Sequence, residues 1–145
     1  TQVIGVLDWE MATLGDPLMD LGSALAYWIQ EDDDALMKSS RRQPTHLKGM
    51  LTRQQVVDYY LEKTGLQPEN WAFYEVFGLF RLAVIAQQIY YRYYHQQTDN
   101  PAFKDFWILI HALHIRALKL IAANNAEAQQ LIPEYGAKLQ DILKR

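Results

Sequence analysis

The chain has no cysteine, which excludes a disulfide framework and any thiolate metal site. Its seven glycines, at 5, 15, 22, 49, 65, 78 and 136, are too scattered to form a Gly-x-Gly-x-x-Gly or Gly-x-x-x-x-Gly-Lys phosphate cradle. The apolar stretch from Trp71 to Phe80 is broken by Glu75 and closed by Arg81, well short of the roughly 20 apolar residues that a membrane-spanning helix needs. Basic charge is not in excess. The 14 Lys and Arg residues stand against 17 Asp and Glu for a net charge of −3, which argues against a general nucleic-acid binder, whose affinity comes from clustered cations. The amino terminus shows no signal-peptide pattern. The expectation is a soluble, cytoplasmic protein with neither a membrane nor a nucleic-acid partner.

What is present is ordinary for a globular domain: 50% hydrophobic and 21% charged residues. A length of 145 residues suits one core, so residues 1–145 read as a single domain. The most informative stretch runs from Val3 to Leu7, apolar or glycine throughout, into Asp8-Trp9-Glu10, then Gly15-Asp16-Pro17 and Asp20-Leu21-Gly22. An uncharged run ending on a carboxylate reads as a buried strand that delivers Asp8 into a site. A strand-end aspartate is a hard oxygen ligand, and magnesium takes one or two of these while keeping waters and phosphate oxygens for the rest. From spacing alone, Asp8 could equally cap the following turn.

The run as a whole resembles the metal-binding segment of the aminoglycoside phosphotransferase and choline kinase family, small-molecule relatives of the protein kinases. The resemblance implies a mainly α fold, the helical carboxy-terminal lobe of a protein-kinase-like fold with one short amino-terminal strand. It implies phosphoryl transfer from Mg-ATP to a hydroxyl of a small-molecule substrate, with Asp8 as the metal ligand through which Mg2+ and ATP are held. Trp9-Glu10 stands where Phe-Gly follows the metal-binding Asp in protein kinases. Asp20 matches the aspartate that orders the catalytic loop, and its first-turn position gives it a second role at the positive end of a helix. Asp16 reads as a turn residue. The family's His-Gly-Asp loop is missing: none of His46, His95, His111 and His114 is followed by Gly-Asp. The chain therefore reads as the carboxy-terminal portion of a phosphotransferase, catalytically incomplete alone. The alternative is a helical binding or oligomerisation module that keeps the fold without the chemistry. A metal-dependent hydrolase using Asp8, Glu10 and Asp16 is the weaker third reading, since one strand and a turn do not converge three carboxylates.

After the first strand the pattern is helical. Asp20 to Gln30 carries Leu21, Ala24, Leu25 and Trp28 at helical spacing. Glu31 to Asp34 and Lys38 to Lys48 hold few large apolar residues and read as a mobile surface connection. Thr52-Arg53-Gln54-Gln55 has capping-box form, predicting a helix from Arg53 to about Thr64 with Gly65 as its left-handed cap. A long helix from Trp71 to near His95 follows. Asn100-Pro101 predicts a helix running to about Ala123, ended by Asn124-Asn125, and Pro133 is expected to begin the last helix.

Three further features have two readings each. Arg81 lies inside an apolar turn, so a buried charge there needs a partner, either a carboxylate of the Asp8–Asp20 segment or a substrate phosphate; otherwise its stem is buried and its head reaches water. The Phe80-Arg81 stretch resembles the phosphotransferase domains linked to acyl-CoA dehydrogenases. His111 and His114 share a helix face and could begin a metal site, but a third ligand is lacking. Tyr90-Tyr91-Arg92-Tyr93-Tyr94 covers every face of its helix and reads as packing more readily than as a stacking platform. The first strand has no identifiable partner strand, so residues 1–7 must pair elsewhere, for instance with a second copy in a homodimer.

Overall fold

The structure, a computed structural model, describes residues 2–8, 10, 12–123 and 125–144. Among the described residues six α-helices form: α1 Pro17–Ala26, α2 Ala35–Ser39, α3 Arg53–Thr64, α4 Trp71–Tyr94, α5 Phe106–Ala123 and α6 Ala126–Leu143, with a 3-10 turn at Pro101–Phe103. The mainly α expectation holds. The short strand does not: residues 2–8 have no regular structure and are exposed. The physical reason is that no second strand exists among the described residues to take up their amides and carbonyls. Thr1, Trp9 and Asn124, which also figured in the expectations, lie outside the described residues.

Local chemistry sets most helix ends. Thr52 and Gln55 form the reciprocal capping box, and Gly65 closes α3 at φ +71°, a left-handed conformation that costs glycine nothing. Asn70 caps α4, which ends at His95. Three expectations need correction. α1 begins at Pro17, three residues before Asp20, because the Asp16 carboxylate takes the Leu18 amide at 2.9 Å and Pro17 fits the first helical position. The Asn100-Pro101 start gives only the 3-10 turn before α5 opens at Phe106. α6 begins at Ala126, with Pro133 inside it. The Asn125 side chain accepts from the Glu127 and Ala128 amides, a start signal strong enough to override the one backbone bond that an interior proline removes.

The segment expected to be a mobile connection is in part packed down. Asp34 caps the short α2, Met37 is fully buried, and the buried Thr45 hydroxyl donates to the Ile29 carbonyl at 2.8 Å. The core joins Ala26, Ile29 and Met37 to Leu79 of α4 and to Ala112 and Leu113 of α5. α4 packs along both α1 and α5, and α6 packs on α5. By length and composition alone, α4 and the stretch Pro101–Ala123 are long and apolar enough to cross a membrane, more than the Trp71–Phe80 run suggested. In this fold they are the central helix pair, and their apolar residues meet each other and α1.

One contact fixes how the motif segment sits. Gly22, from Asp20-Leu21-Gly22, and Gly78 face each other where α1 crosses α4. A Cβ on Gly22 would lie 2.2 Å from the Tyr74 carbonyl oxygen, and one on Gly78 would lie 2.1 Å from the Gly22 carbonyl oxygen. The two backbones therefore touch with nothing between them. Only a residue without a side chain permits that approach.

Candidate functional site

Asp16 ties the motif segment to α4. One carboxylate oxygen caps α1, and the other accepts from the Tyr74 hydroxyl at 2.7 Å. That bond, followed by desolvation and then the charges of Asp16 and Glu69, raises the tyrosine's pKa above its ordinary value. With the Gly22–Gly78 contact about 1.7 turns further on, the entry and the direction of α1 are both set by α4.

Asp8 stands upstream of this anchor. It is exposed and adopts φ +63°, a left-handed conformation that Asp tolerates better than most residues because its short side chain bonds locally. Among the described residues no three His, Asp or Glu side chains gather as a metal site would require. The donor set is thus a single exposed carboxylate, one of the one or two that magnesium takes, with the other positions left to waters and phosphate oxygens. Asp20 lies exposed in the first turn of α1, and Glu10 is likewise exposed. Arg81 lies exposed on α4 and forms no ion pair among the described residues, so its head reaches water. The structure brings together Asp16 and Tyr74. Among the described residues no ion pair joins Arg81 to Asp8 or Asp20, and neither aspartate belongs to a cluster of three metal-binding groups.

The buried charge cluster lies elsewhere. Asp33 accepts two bonds from Arg53, at 2.6 and 2.9 Å, and one from the Gln30 amide at 2.7 Å, while Arg116 approaches to 3.4 Å. Arg53 also donates to the Trp28 carbonyl at 2.7 Å. Burial alone would raise the Asp33 carboxyl, but the hydrogen bonds from Arg53 and Gln30 and the charges of Arg116 and Arg53 together hold it below its ordinary value. Burial, then the charge of Arg53, pushes the Arg116 guanidinium down from its ordinary value, and the nearby carboxylates oppose this in part. A cavity of about 400 Å³ adjoins the cluster, lined among others by Asp34, Glu75 and Lys119. Three carboxylates there balance three cations, so the cavity offers no net field for an anion. The charge cluster ties the 27–34 turn to α3 through Arg53 and to α5 through Arg116. The sequence carried a signal for it, because Arg116 sits in the apolar run Ile115-Arg116-Ala117-Leu118 just as Arg81 sits in its own.

His111 and His114 both face Tyr135 of α6, whose ring lies 4.1 Å from that of His114 and whose hydroxyl meets His111 Nδ1. Burial, and secondarily the charge of His114, lowers the His111 pKa. The pair therefore joins α5 to α6. At the end of α4, Tyr91 packs on His95 with ring centres 4.1 Å apart, which is rim packing.

Residues 1–52 match the family model of the phosphotransferase enzyme family. Mouse acyl-CoA dehydrogenase family member 10 is 38% identical over 93 residues, covering 63% of this chain and 9% of that protein. Rat acyl-CoA dehydrogenase family member 11 is 35% identical over 95 residues, covering 63% of this chain and 12% of its own length. A probable acyl-CoA dehydrogenase of Arabidopsis thaliana is 34% identical over 96 residues, with the same 63% and 12% coverage. The chain thus spans about a tenth of the length of these curated relatives. No solved structure matches it. The family match falls on the segment whose residues resemble that family, and the similarity to acyl-CoA dehydrogenase family members agrees with the resemblance read in the Phe80-Arg81 stretch. The helical array behind it accords with the helical lobe of a kinase-like fold.

Proposed function

We propose that these 145 residues form one domain, the helical lobe of a small-molecule phosphotransferase that moves a phosphoryl group from Mg-ATP to a substrate hydroxyl. The observation that carries this reading is the family match over residues 1–52. The anchoring of that same segment on α4, through Asp16–Tyr74 and Gly22–Gly78, supports it. In this reading Asp8 contributes one carboxylate to the metal and no more. Phosphoryl transfer depends on positioned cations, a phosphate cradle and a residue that orients the nucleophile, and the sequence holds neither a cradle nor a His-Gly-Asp loop. The lobe alone is therefore inactive. Calorimetric titration of the chain with Mg-ATP tests this: no binding tighter than about 1 mM is expected, and no turnover. Tighter binding or any ATP hydrolysis overturns the claim of incompleteness. A gene whose upstream frame encodes a His-Gly-Asp loop would support the phosphotransferase reading, and one without it would count against it.

A second reading rests on the exposed arm. Val3, Ile4 and Leu7 are 86%, 99% and 86% exposed, and such a segment invites pairing with another chain. Here the domain is a binding or oligomerisation module, joined to a second copy through residues 1–7. A sizing measurement separates the two readings.

A further inference from the structure

The carboxy-terminal end of α1, α2, α4 and the start of α5 enclose a cavity of about 540 Å³. Its body is apolar, built from Met37 of α2, from Leu82, Ile85 and Ile89 of α4, and from Leu109 of α5. Polar groups are few: Tyr27 just past α1, Ser39, Ser40, Arg42 and Gln43 around the end of α2, and Asp105 just before α5. An apolar body of a few hundred Å³ with a few convergent polar groups is the make-up of a small-molecule site.

The polar groups are not equivalent. Lys38 and Arg41 are committed to Glu31, at 3.5 and 3.2 Å. The Ser39 and Ser40 hydroxyls donate to the Leu36 and Met37 carbonyls, each at 2.7 Å. Arg42 and Gln43 have neither an ion pair nor a side-chain hydrogen bond among the described residues, and no ion pair joins Arg42 to Asp105. The unused donors in the lining are therefore the Tyr27 hydroxyl and, next to each other in the chain past α2, the Arg42 guanidinium and the Gln43 amide. A guanidinium only donates, and its planar fork matches a carboxylate.

We propose that this cavity binds a small amphipathic monocarboxylate, with its apolar body between α2, α4 and α5 and its carboxylate on Arg42 and Gln43. The site lies at the Ala26 end of α1, about 15 Å of helix away from the Asp16 cap. It stands or falls independently of the phosphotransferase reading.

Titration of the chain with decanoate, decanol and decylamine tests the proposal. Decanoate is expected to bind saturably, one per chain, with a Kd below about 100 μM, and decanol and decylamine at least about tenfold more weakly. Arg42→Gln, at an exposed position, should weaken decanoate about tenfold and decanol less than about twofold, since only the charged head loses its partner. Ile85→Trp, which fills the cavity, should abolish decanoate binding. Should that variant fail to fold by circular dichroism, Ala102→Trp at the exposed lip serves the same purpose. Absence of saturable decanoate binding, equal affinity for decanol, or an Arg42→Gln variant that binds decanoate like the parent would each overturn the proposal.

Discussion

Replacing Gly22 by alanine is the sharpest test of how the motif segment is held. Two effects oppose each other. Alanine in a helix interior is favoured over glycine by up to about 1 kcal/mol, through backbone entropy. Against that, the new methyl would lie 2.2 Å from the Tyr74 carbonyl oxygen, 2.8 Å from its carbon and 3.3 Å from the Tyr74 Cβ. Ordinary contact begins near 3.4 Å, so α1 and α4 must separate by 3.4 − 2.2, about 1.2 Å, at a point where both partners are backbone. Overpacking of this kind costs about 1–3 kcal/mol, and more where the neighbour cannot move aside. Here it cannot, because α4 is also packed on α5. We expect a net loss of about 2 kcal/mol or more, which lowers the thermal midpoint by at least about 4 °C for a chain of this size. Gly78→Ala, whose methyl would meet the Gly22 carbonyl oxygen at 2.1 Å, should do the same. Because the two methyls force apart one contact, the double variant should lose less than the sum. Gly136→Ala in α6, with nothing within 4 Å, should instead raise the midpoint through propensity alone. Thermal unfolding followed by helical ellipticity reads all four. A Gly22→Ala midpoint at or above that of the parent refutes the close-contact account, whatever the other variants do.

Asp33→Ala leaves Arg53 and Arg116, whose side chains are 20% and 15% exposed, without their carboxylate; a loss of about 3 kcal/mol in denaturant unfolding is expected. Thr52→Ala removes one half of the capping box and should cost about 1 kcal/mol by the same assay. Stability should also fall on acidification, in two stages. The folded His111 pKa lies below its ordinary value of 6.5, so the unfolded chain takes up the proton first and stability declines as pH drops below about 6.5; His111→Gln should flatten that decline. The folded Asp33 pKa lies below 3.8, so its contribution is complete above the unfolded value and is lost as pH falls through the folded one. A flat midpoint between pH 7.5 and 5 would contradict the first stage.

How far the sequence carried depended on the range of each signal. Caps are local chemistry, and Thr52, Gly65 and Asn70 act as their side chains or φ angles require. Asp33 is different. Its partners Arg53 and Arg116 lie 20 and, by subtraction, 83 positions away, and no local pattern joins them. The rule that a lone cation in an apolar turn needs a partner is sound; it applies with greater force to Arg116, buried against Asp33, than to Arg81, whose head is in water. Gly22 was legible as part of a motif. Its physical task, letting two backbones touch, depends on Gly78 in another helix.

The arm of residues 2–8 decides between the two functional readings on physical grounds. Val3, Ile4, Val6 and Leu7 form a nearly continuous apolar run, the pattern of a strand covered on both faces and not of one with a wet side. Pairing two such arms across a homodimer would satisfy one backbone edge of each and leave both faces in water. A two-stranded ribbon of that kind is marginal, so we expect no stable dimer at about 10 μM chain. Addition to the edge of a larger sheet, as the phosphotransferase reading requires, would bury both faces and all four apolar side chains. Sedimentation over a concentration series distinguishes the outcomes. A tight dimer that Val6→Asp dissolves would favour the oligomerisation module. A monomer whose residues 2–8 exchange their amide hydrogens at unprotected rates is what the phosphotransferase reading predicts.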